Sequence, residues 1–264
     1  MKQRIITAAI GVVLLLIVLF SNPAVMNIAV LGVTEMAIFE VLRAVGMSKN
    51  YFYCTLAFLL PVGMLFTHIE YMGIVIYIFM ALILVSMLFN KNENKFKDAA
   101  TVFTAAIMIC FSFYFISRVR SLPHGIENVF LIFIGCWITD TFAYFTGITV
   151  GKHKLAPKIS PKKTVEGSIG GIVGTTAVMV AYAAALSNII NGVSANLVHA
   201  AVLGFICSIV SQAGDLCASV IKREHNVKDY GSIMPGHGGV MDRFDSLMFV
   251  APIVYGFIQF FPVF

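Results

Sequence analysis

The chain has 264 residues, of which 59% are hydrophobic and only 12% are charged, and its formal net charge is +5. Soluble globular domains carry about 25% charged residues, so this chain has too little polar surface to cover a water-soluble globule. The composition therefore excludes an ordinary soluble enzyme and a disordered chain, and it predicts a polytopic membrane protein.

Nine predominantly apolar runs follow one another along the chain, each close to the roughly 20 residues that a helix needs to cross a bilayer. They lie at about residues 5–21, 24–43, 51–67, 70–89, 99–117, 127–149, 168–188, 197–221 and 246–263. We therefore predict an all-α fold, a polytopic integral membrane protein with about nine transmembrane helices. Residues 1–264 should form a single transmembrane domain, with N-terminal helices in 1–120 and the catalytic half in roughly 127–264.

The lysine and arginine residues predict the orientation, because flanking positive charge stays on the cytoplasmic side of a membrane. With the N-terminus in the cytoplasm, only Arg118 and Arg120, out of 18 basic residues, fall on the outer side. We therefore expect a multi-pass protein of the cell (inner or cytoplasmic) membrane, with two long polar loops in the cytoplasm and the C-terminus outside. This distribution explains the positive net charge without nucleic acid, and we expect no nucleic-acid partner.

Four acidic residues lie inside the predicted spans: Glu35 and Glu40 in the second run, Asp140 in the sixth and Asp215 in the eighth. An ionisable side chain in the hydrocarbon region costs about 2.5 kcal/mol or more, and such side chains face a polar cleft or another charged helix rather than lipid. Each of the four is therefore a candidate functional residue.

The first long polar loop, residues 151–167, is rich in lysine and hydroxyl side chains. These residues are Lys152, Lys154, Lys158, Ser160, Lys162, Lys163 and Thr164. The composition predicts a polyphosphate-binding surface, and the alternative is a positively charged membrane anchor. The loop is not a P-loop, because His153 stands where that motif requires serine or threonine. Close helix packing is indicated by the glycines that follow, Gly167, Gly170, Gly171 and Gly174.

The eighth run continues into a polar stripe. Its members, three or four residues apart and so on one face of a helix, are Ser211, Asp215, Ser219, Lys222 and Arg223. A stripe of acid, hydroxyl and two bases favours a functional cleft, and a structural ion-pair seam is the alternative.

The second long polar loop, which follows this stripe, carries glycines around a single histidine. Gly236, Gly238 and Gly239 flank His237, so backbone amides there can approach a ligand closely and adopt positive φ. A turn of this kind that enters a helix predicts an oxyanion or phosphate cradle, because both the amides and the helix dipole favour negative charge.

Two carboxylates come directly after the glycines. Asp242 and Asp245 are three residues apart, and we predict that they share one face of the first turn of span nine. Carboxylates with hydroxyls and water suit Mg²⁺, a hard cation that prefers oxygen ligands. Cations for phosphate oxygens are supplied by Lys222, Arg223, Lys228 and Arg243. Metal, glycine turn and basic residues together predict phosphoryl or nucleotidyl transfer.

The polar residues from Ser219 to Asp245 resemble the signature of the CDP-diacylglycerol synthases, also called phosphatidate cytidylyltransferases. That signature reads S-x-x-K-R-x4-K-D-x-G-x3-P-x-H-G-G-x-x-D-R-x-D, and every polar position of it is filled here. Residues 140–144 and 160–171 resemble the same family. The resemblance implies the reaction of CTP with phosphatidic acid to give CDP-diacylglycerol and pyrophosphate, with Mg²⁺ as the cofactor.

The resemblance also implies roles for the residues at the matching positions. The metal ligands would be Asp215, Asp242 and Asp245, with Asp140 as a further or outer carboxylate. The triphosphate and the lipid phosphate would be held by Lys222, Arg223, Lys228 and Arg243, and His237 would orient a phosphate. The remaining substrate-binding residues would be Ser160, Lys162, Lys163, Thr164, Ser219, Gly238 and Gly239. No protein nucleophile is needed, because the phosphatidate oxygen is already anionic.

Two alternatives remain open on the sequence alone. An ion-coupled transporter would explain the buried acids, but not the glycines around His237 or the lysine-rich loop. A CTP-dependent enzyme acting on another lipid, whether a kinase or a related transferase, would fit the loops but departs from the signature. CTP, phosphatidic acid and membrane lipid are the expected partners, and the sequence leaves a homodimer open.

Overall fold

The computed structural model describes residues 2–89, 94–190, 192–234 and 238–264, and these residues are mainly helical. In chain order the helices are α1 (Lys2–Phe20), α2 (Pro23–Ala44), α3 (Tyr51–Phe66), α4 (Met72–Phe89), α5 (Lys95–Arg120), α6 (Gly125–Phe133), α7 (Thr139–Thr149), α8 (Val165–Ile189), α9 (Leu197–Glu224), α10 (Met241–Phe244) and α11 (Leu247–Phe260). A 3₁₀ turn at Ile69–Tyr71 precedes α4, and the π-helical segment Ile134–Ile138 joins α6 to α7.

Each of the nine predicted apolar runs coincides with a helical segment, and only the runs 5–21, 51–67 and 246–263 extend beyond their helices, by one to three residues at an end. Among the described residues, six segments are long and apolar enough to cross a bilayer. They are Pro23–Ala44, Ile69–Phe89, Lys95–Arg120, Gly125–Thr149, Val165–Ile189 and Leu197–Glu224. Three shorter apolar helices accompany them, at Ala9–Phe20, Tyr51–Phe66 and Leu247–Phe260. The prediction of a helical, polytopic membrane protein is confirmed.

A small β-hairpin, which the sequence did not predict, forms within the first long polar loop. Its strands are β1 (Lys154–Ala156) and β2 (Ser160–Thr164), paired antiparallel with Lys154 opposite Thr164 and Ala156 opposite Ser160. We call residues 154–164 the lysine hairpin. Its second strand runs directly into α8, because the Thr164 hydroxyl caps that helix by accepting a hydrogen bond from the amide of Gly167 (3.1 Å).

The described residues divide into two compact units. The first unit consists of Met1–Ser117 together with His225–Phe244, and the second of Arg118–Glu224 together with Asp245–Phe264. Fully buried side chains such as Leu42 and Val102 form the core of the first unit, and Met179 and Leu203 belong to the core of the second. The lysine hairpin therefore belongs to the second unit, whereas the loop with the glycines belongs to the first.

Glycine allows close approach of neighbouring helices in the second unit. A Cβ added to Gly171 of α8 would lie 3.2 Å from the carbonyl oxygen of Thr139 in α7. A Cβ on Gly204 of α9 would lie only 2.9 Å from the Cα of Thr176 in α8. The interpretation of the glycines within 167–174 as packing positions is confirmed.

Candidate active site

A cavity of about 740 Å³ opens in the second unit between α7, the lysine hairpin, the start of α8 and the middle of α9. Three glycines of its lining, Gly147, Gly151 and Gly167, allow close packing where α7 meets the start of α8, and a Cβ on Gly167 would lie 2.7 Å from the carbonyl oxygen of Ala143. Its charged and hydroxyl-bearing lining residues are Asp140, Tyr144, Lys154, Lys162, Lys163, Thr164, Ser168 and Asp215. The volume lies within the range of small-molecule sites, and the lining combines cations with carboxylates.

The lysine hairpin presents two of the predicted substrate-binding residues to this cavity. Successive residues of a strand point to opposite faces, and here Lys162 is exposed whereas Lys163 is half-buried. The Nζ of Lys163 lies 2.5 Å from Oδ2 of Asp215 on α9, so the hairpin is joined to that helix by an ion pair. Ser160 pairs with Ala156 at the other end of the hairpin and is not part of the cavity lining.

The polar stripe of α9 consists of paired charges. Oδ1 of Asp215 accepts a hydrogen bond from the hydroxyl of Ser219 (3.4 Å), one turn further along the helix. One turn beyond, the nearly buried Lys222 places its Nζ 3.6 Å from Oδ2 of Asp245. Each of these two aspartates therefore stands beside a lysine, and Arg223, next to Lys222, is exposed. Ion pairs and a cavity occur together here. The stripe therefore has features of both the functional cleft and the structural ion-pair seam that the sequence left open.

Glu166, to which the sequence analysis gave no role, closes the base of the lysine hairpin. Its carboxylate accepts hydrogen bonds from the backbone amides of Lys152 (3.1 Å) and His153 (3.2 Å). It also lies 2.6 Å from Nδ1 of the His153 ring. Glu166 lies in the first turn of α8, where the helix dipole favours negative charge, and this position is the sequence signal that could have indicated its role.

In the first unit, Asp242 organises the loop that carries the glycines; its described residues are 229–234 and 238–241, and we call these the glycine loop. Oδ2 of Asp242 accepts hydrogen bonds from the backbone amides of Tyr230 (2.8 Å) and Gly239 (3.0 Å). Gly238 has φ +85°, which confirms the prediction of a positive φ in this turn. The predicted site residue His237 and its neighbour Gly236 lie outside the described residues.

The prediction that Asp242 and Asp245 share the first turn of span nine is wrong. Asp242 lies in the one-turn helix α10, and Asp245 lies in the turn before α11. The Asp245 side chain itself explains the break, because its Oδ1 accepts a hydrogen bond from the amide of Ser246 (2.9 Å) and so competes with a continuous helical ladder. The basic residues Lys228 and Arg243 are exposed in the first unit.

The carboxylates of the second unit have the chemistry of a magnesium site. No three His, Cys, Asp or Glu side chains converge on one point in the ranges that the structure describes. Mg²⁺ does not require such a cage, because it is usually bound by one or two carboxylates with substrate phosphates and water. Asp215 and Asp245, each beside a lysine that can contact phosphate, fit a cation bound jointly with a polyphosphate.

Comparison with known proteins places the chain in a family. The model of the cytidylyltransferase family matches residues 2–261. A phosphatidate cytidylyltransferase of Bacillus subtilis (strain 168) is 32% identical over 276 residues, covering 99% of this chain and 98% of the relative. One from Staphylococcus aureus (strain COL) is 34% identical over 265 residues, covering 96% and 97%. One from Staphylococcus haemolyticus (strain JCSC1435) is 39% identical over 165 residues, covering 62% and 61%.

Proposed function

The chain belongs to the cytidylyltransferase family, and we propose that it uses CTP and phosphatidic acid to form CDP-diacylglycerol and pyrophosphate. The family match and the nearly full-length relatives confirm the expected activity, that of a phosphatidate cytidylyltransferase, a nucleotidyltransferase of phospholipid biosynthesis. The alternative of an ion-coupled transporter is thereby set aside.

The cavity of the second unit supports a role in binding the CTP triphosphate. Lys154, Lys162 and Lys163 line it from the lysine hairpin, so three cations face one volume that can hold a small molecule. Compact ammonium groups are suited to binding phosphate oxygens as point charges. This convergence of lysines and aspartates on one cavity is the observation that carries the assignment of the site.

We assign the metal to the aspartates that the sequence analysis singled out. Asp215 and Asp245 would hold Mg²⁺ together with phosphate oxygens, with Asp140 at the cavity wall as a further carboxylate. Asp242 remains a proposed ligand on the strength of its position in the signature. When bound, Mg²⁺ neutralises charge that develops on the phosphate oxygens during transfer.

The proposed reaction is a direct displacement at phosphorus. A phosphatidate oxygen attacks the α-phosphorus of CTP, a new oxygen–phosphorus bond forms, and the bond to the bridging oxygen of the β-phosphate breaks with release of pyrophosphate. The protein then mainly positions the two anions and balances their charge. We assign this task to Lys222, Arg223, Lys228 and Arg243, with Ser219 and Gly239 in the substrate site and His237 orienting a phosphate.

The cavity wall is also suited to a substrate with a lipid tail and a phosphate headgroup. Tyr144 and Ile148 of α7 line the cavity, and both are more than half exposed, whereas the part of the lining that comes from the hairpin carries the lysines. In the proposed orientation the lysine hairpin lies on the cytoplasmic side, where it meets CTP from the cytosol. Phosphatidic acid would approach along the apolar side of the same cavity.

The decisive assay supplies membranes with labelled CTP and phosphatidic acid and measures CDP-lipid and pyrophosphate. We expect Lys162→Gln to raise KM for CTP about tenfold or more, because a charge-assisted phosphate contact contributes roughly 1.5–3 kcal/mol. The matched control is Lys158→Gln, an exposed lysine of the same hairpin that does not line the cavity. Equal kinetic effects of the two substitutions would contradict the placement of CTP in this cavity.

A further inference from the structure

Glu40 is a buried acid of α2 for which the proposed reaction has no use. Its side chain is fully buried within the first unit, whereas Glu35, five residues earlier on the same helix, is only partly buried. Burying a carboxylate is costly unless its hydrogen-bonding capacity is used, so this side chain calls for a specific explanation.

The contacts of Glu40 are with the glycine loop, about 200 residues away in sequence. Oε2 of Glu40 accepts a hydrogen bond from the backbone amide of Met241 (2.9 Å), the first residue of α10. A Cβ added to Gly231 or to Gly239 would overlap the Glu40 carboxylate. Both glycines therefore leave the space that the carboxylate occupies, and any larger side chain at either position would displace it.

Two carboxylates thus accept hydrogen bonds from the backbone of the glycine loop, one from α2 and one from α10. Asp242 accepts hydrogen bonds from the amides of Tyr230 and Gly239, and Glu40 accepts one from the amide of Met241. Arg43, one turn beyond Glu40, donates a longer hydrogen bond to the carbonyl oxygen of Tyr230 (3.4 Å). Helix α2 therefore contacts the chain at Tyr230 and again at Met241.

We propose that Glu40 is a positioning residue that fixes the glycine loop, and with it the orientation of Asp242. Glu40 itself does not touch substrate: it acts through the Met241 amide and through the two glycines packed on its carboxylate. The catalytic consequence rests on the proposed role of Asp242, whereas the hold on the loop stands on the contacts alone. Loss of a group that orients a ligand typically costs about 10- to 100-fold in metal affinity or activity.

The first test compares Glu40→Ala and Glu40→Gln with Glu35→Gln, a control on the same helix. We expect Glu40→Ala to lower kcat about 10- to 100-fold and raise the Mg²⁺ concentration needed for half-maximal rate, with KM for CTP unchanged. Glu40→Gln keeps an oxygen that can accept the Met241 hydrogen bond, so it should retain much more activity. Glu35→Gln should behave as wild type. Equal activity of Glu40→Ala and Glu35→Gln would overturn the proposal.

The second test follows the loop directly and does not depend on activity. In detergent, trypsin should cleave Glu40→Ala faster than wild type after Lys228, an exposed residue beside the glycine loop, but not faster after Lys158 in the second unit. Unchanged cleavage after Lys228 would overturn the proposal even if activity fell. Faster cleavage after Lys228 combined with full activity of Asp242→Asn would instead contradict the assigned role of Asp242 and leave the hold on the loop established.

A double-mutant cycle tests the packing of Glu40 against Gly239 by adding a methyl group at the glycine. It does not require Glu40→Ala, and so it remains possible if that variant does not fold. Gly239→Ala should accelerate cleavage after Lys228, because its methyl group displaces the Glu40 carboxylate. Combined with Glu40→Asp, whose shorter side chain withdraws from that space, the alanine should add little further effect. Residues in contact show such non-additivity, whereas independent sites do not. Additive effects of the two substitutions would contradict the proposed packing.

Discussion

The Nζ of Lys163 lies 2.5 Å from Oδ2 of Asp215, and this ion pair joins the lysine hairpin to the middle of α9. The two residues have opposite assignments in the proposed reaction, the lysine to a phosphate and the aspartate to a cation. In the structure Asp215 faces the positive charge of Lys163, as it would face Mg²⁺ in the complex. Lys163 faces the negative charge of Asp215, as it would face a triphosphate. On the proposed assignments, the triphosphate would therefore bind at Lys163 and Mg²⁺ at Asp215.

Replacement of this aspartate tests the metal assignment. Asp215→Asn keeps the shape of the side chain but removes the charge, so we expect folded protein with activity reduced about 10²- to 10³-fold. Activity should be measured over a Mg²⁺ titration, with Glu224→Gln, an exposed acid outside the cavity at a variable position of the signature, as the control. Near-normal turnover of Asp215→Asn at ordinary Mg²⁺ concentrations would exclude Asp215 as a ligand.

Asp242→Asn separates charge from loop structure in the first unit. An asparagine oxygen can still accept the hydrogen bonds from the amides of Tyr230 and Gly239, so the glycine loop should keep its resistance to trypsin. We expect activity to fall by orders of magnitude, about as far as for Asp215→Asn, because the negative charge is lost. Asp242→Ala, which removes the acceptor as well, should also increase cleavage after Lys228. If Asp242→Asn retained its turnover, Asp242 would have only the structural role.

The helices could be predicted from the sequence because hydropathy alone sets them. Nine apolar runs of membrane-spanning length leave the backbone little alternative to helix, since lipid offers no partner for its polar groups. The lysine hairpin could not be predicted in this way, because strands of three and five residues in a polar loop show no apolar alternation.

The candidate site was predicted by residue type but not by arrangement. Lys162, Lys163 and Asp215 were identified as candidates from the sequence, and they do meet at one cavity. The helix break at Asp245 was missed because it depends on a local hydrogen bond to a backbone amide. Glu40 was identified as an unusual acid, but its contact with Met241 connects residues about 200 positions apart, which no local pattern records.

The glycine packing of the second unit predicts a contrast between two Gly→Ala substitutions. Gly204→Ala should destabilise the protein by about 1–3 kcal/mol, because the new Cβ would lie 2.9 Å from the backbone Cα of Thr176, which cannot rotate away. Gly256→Ala in α11 meets nothing within 4 Å and should be neutral or stabilising by up to about 1 kcal/mol. Thermal unfolding in detergent measures both, and a Tm of Gly204→Ala at or above wild type would contradict the packing.

The charge distribution predicts the membrane orientation. Reporter fusions should place residues 152–166 and 222–243 in the cytoplasm and Phe264 outside, because only Arg118 and Arg120 of the 18 basic residues fall on the outer side in that arrangement. Cysteines introduced singly into the two loops and labelled by an impermeant maleimide provide an independent measurement. A loop found on the outer face would rule out the proposed site, because CTP is cytosolic.

The last prediction separates positioning from acid–base chemistry at His237. The attacking phosphatidate oxygen is already an anion, so removing a proton from it contributes little, and a residue beside the positive-φ turn at Gly238 is better suited to orient a phosphate. His237→Gln keeps a hydrogen-bond donor but cannot titrate, and it should therefore retain clearly more activity than His237→Ala. Its pH–rate profile should keep the same limbs as wild type. General-base catalysis contributes about 10²- to 10⁴-fold. If both variants lost activity to that extent and the glutamine profile lost a limb, His237 would have to be the base.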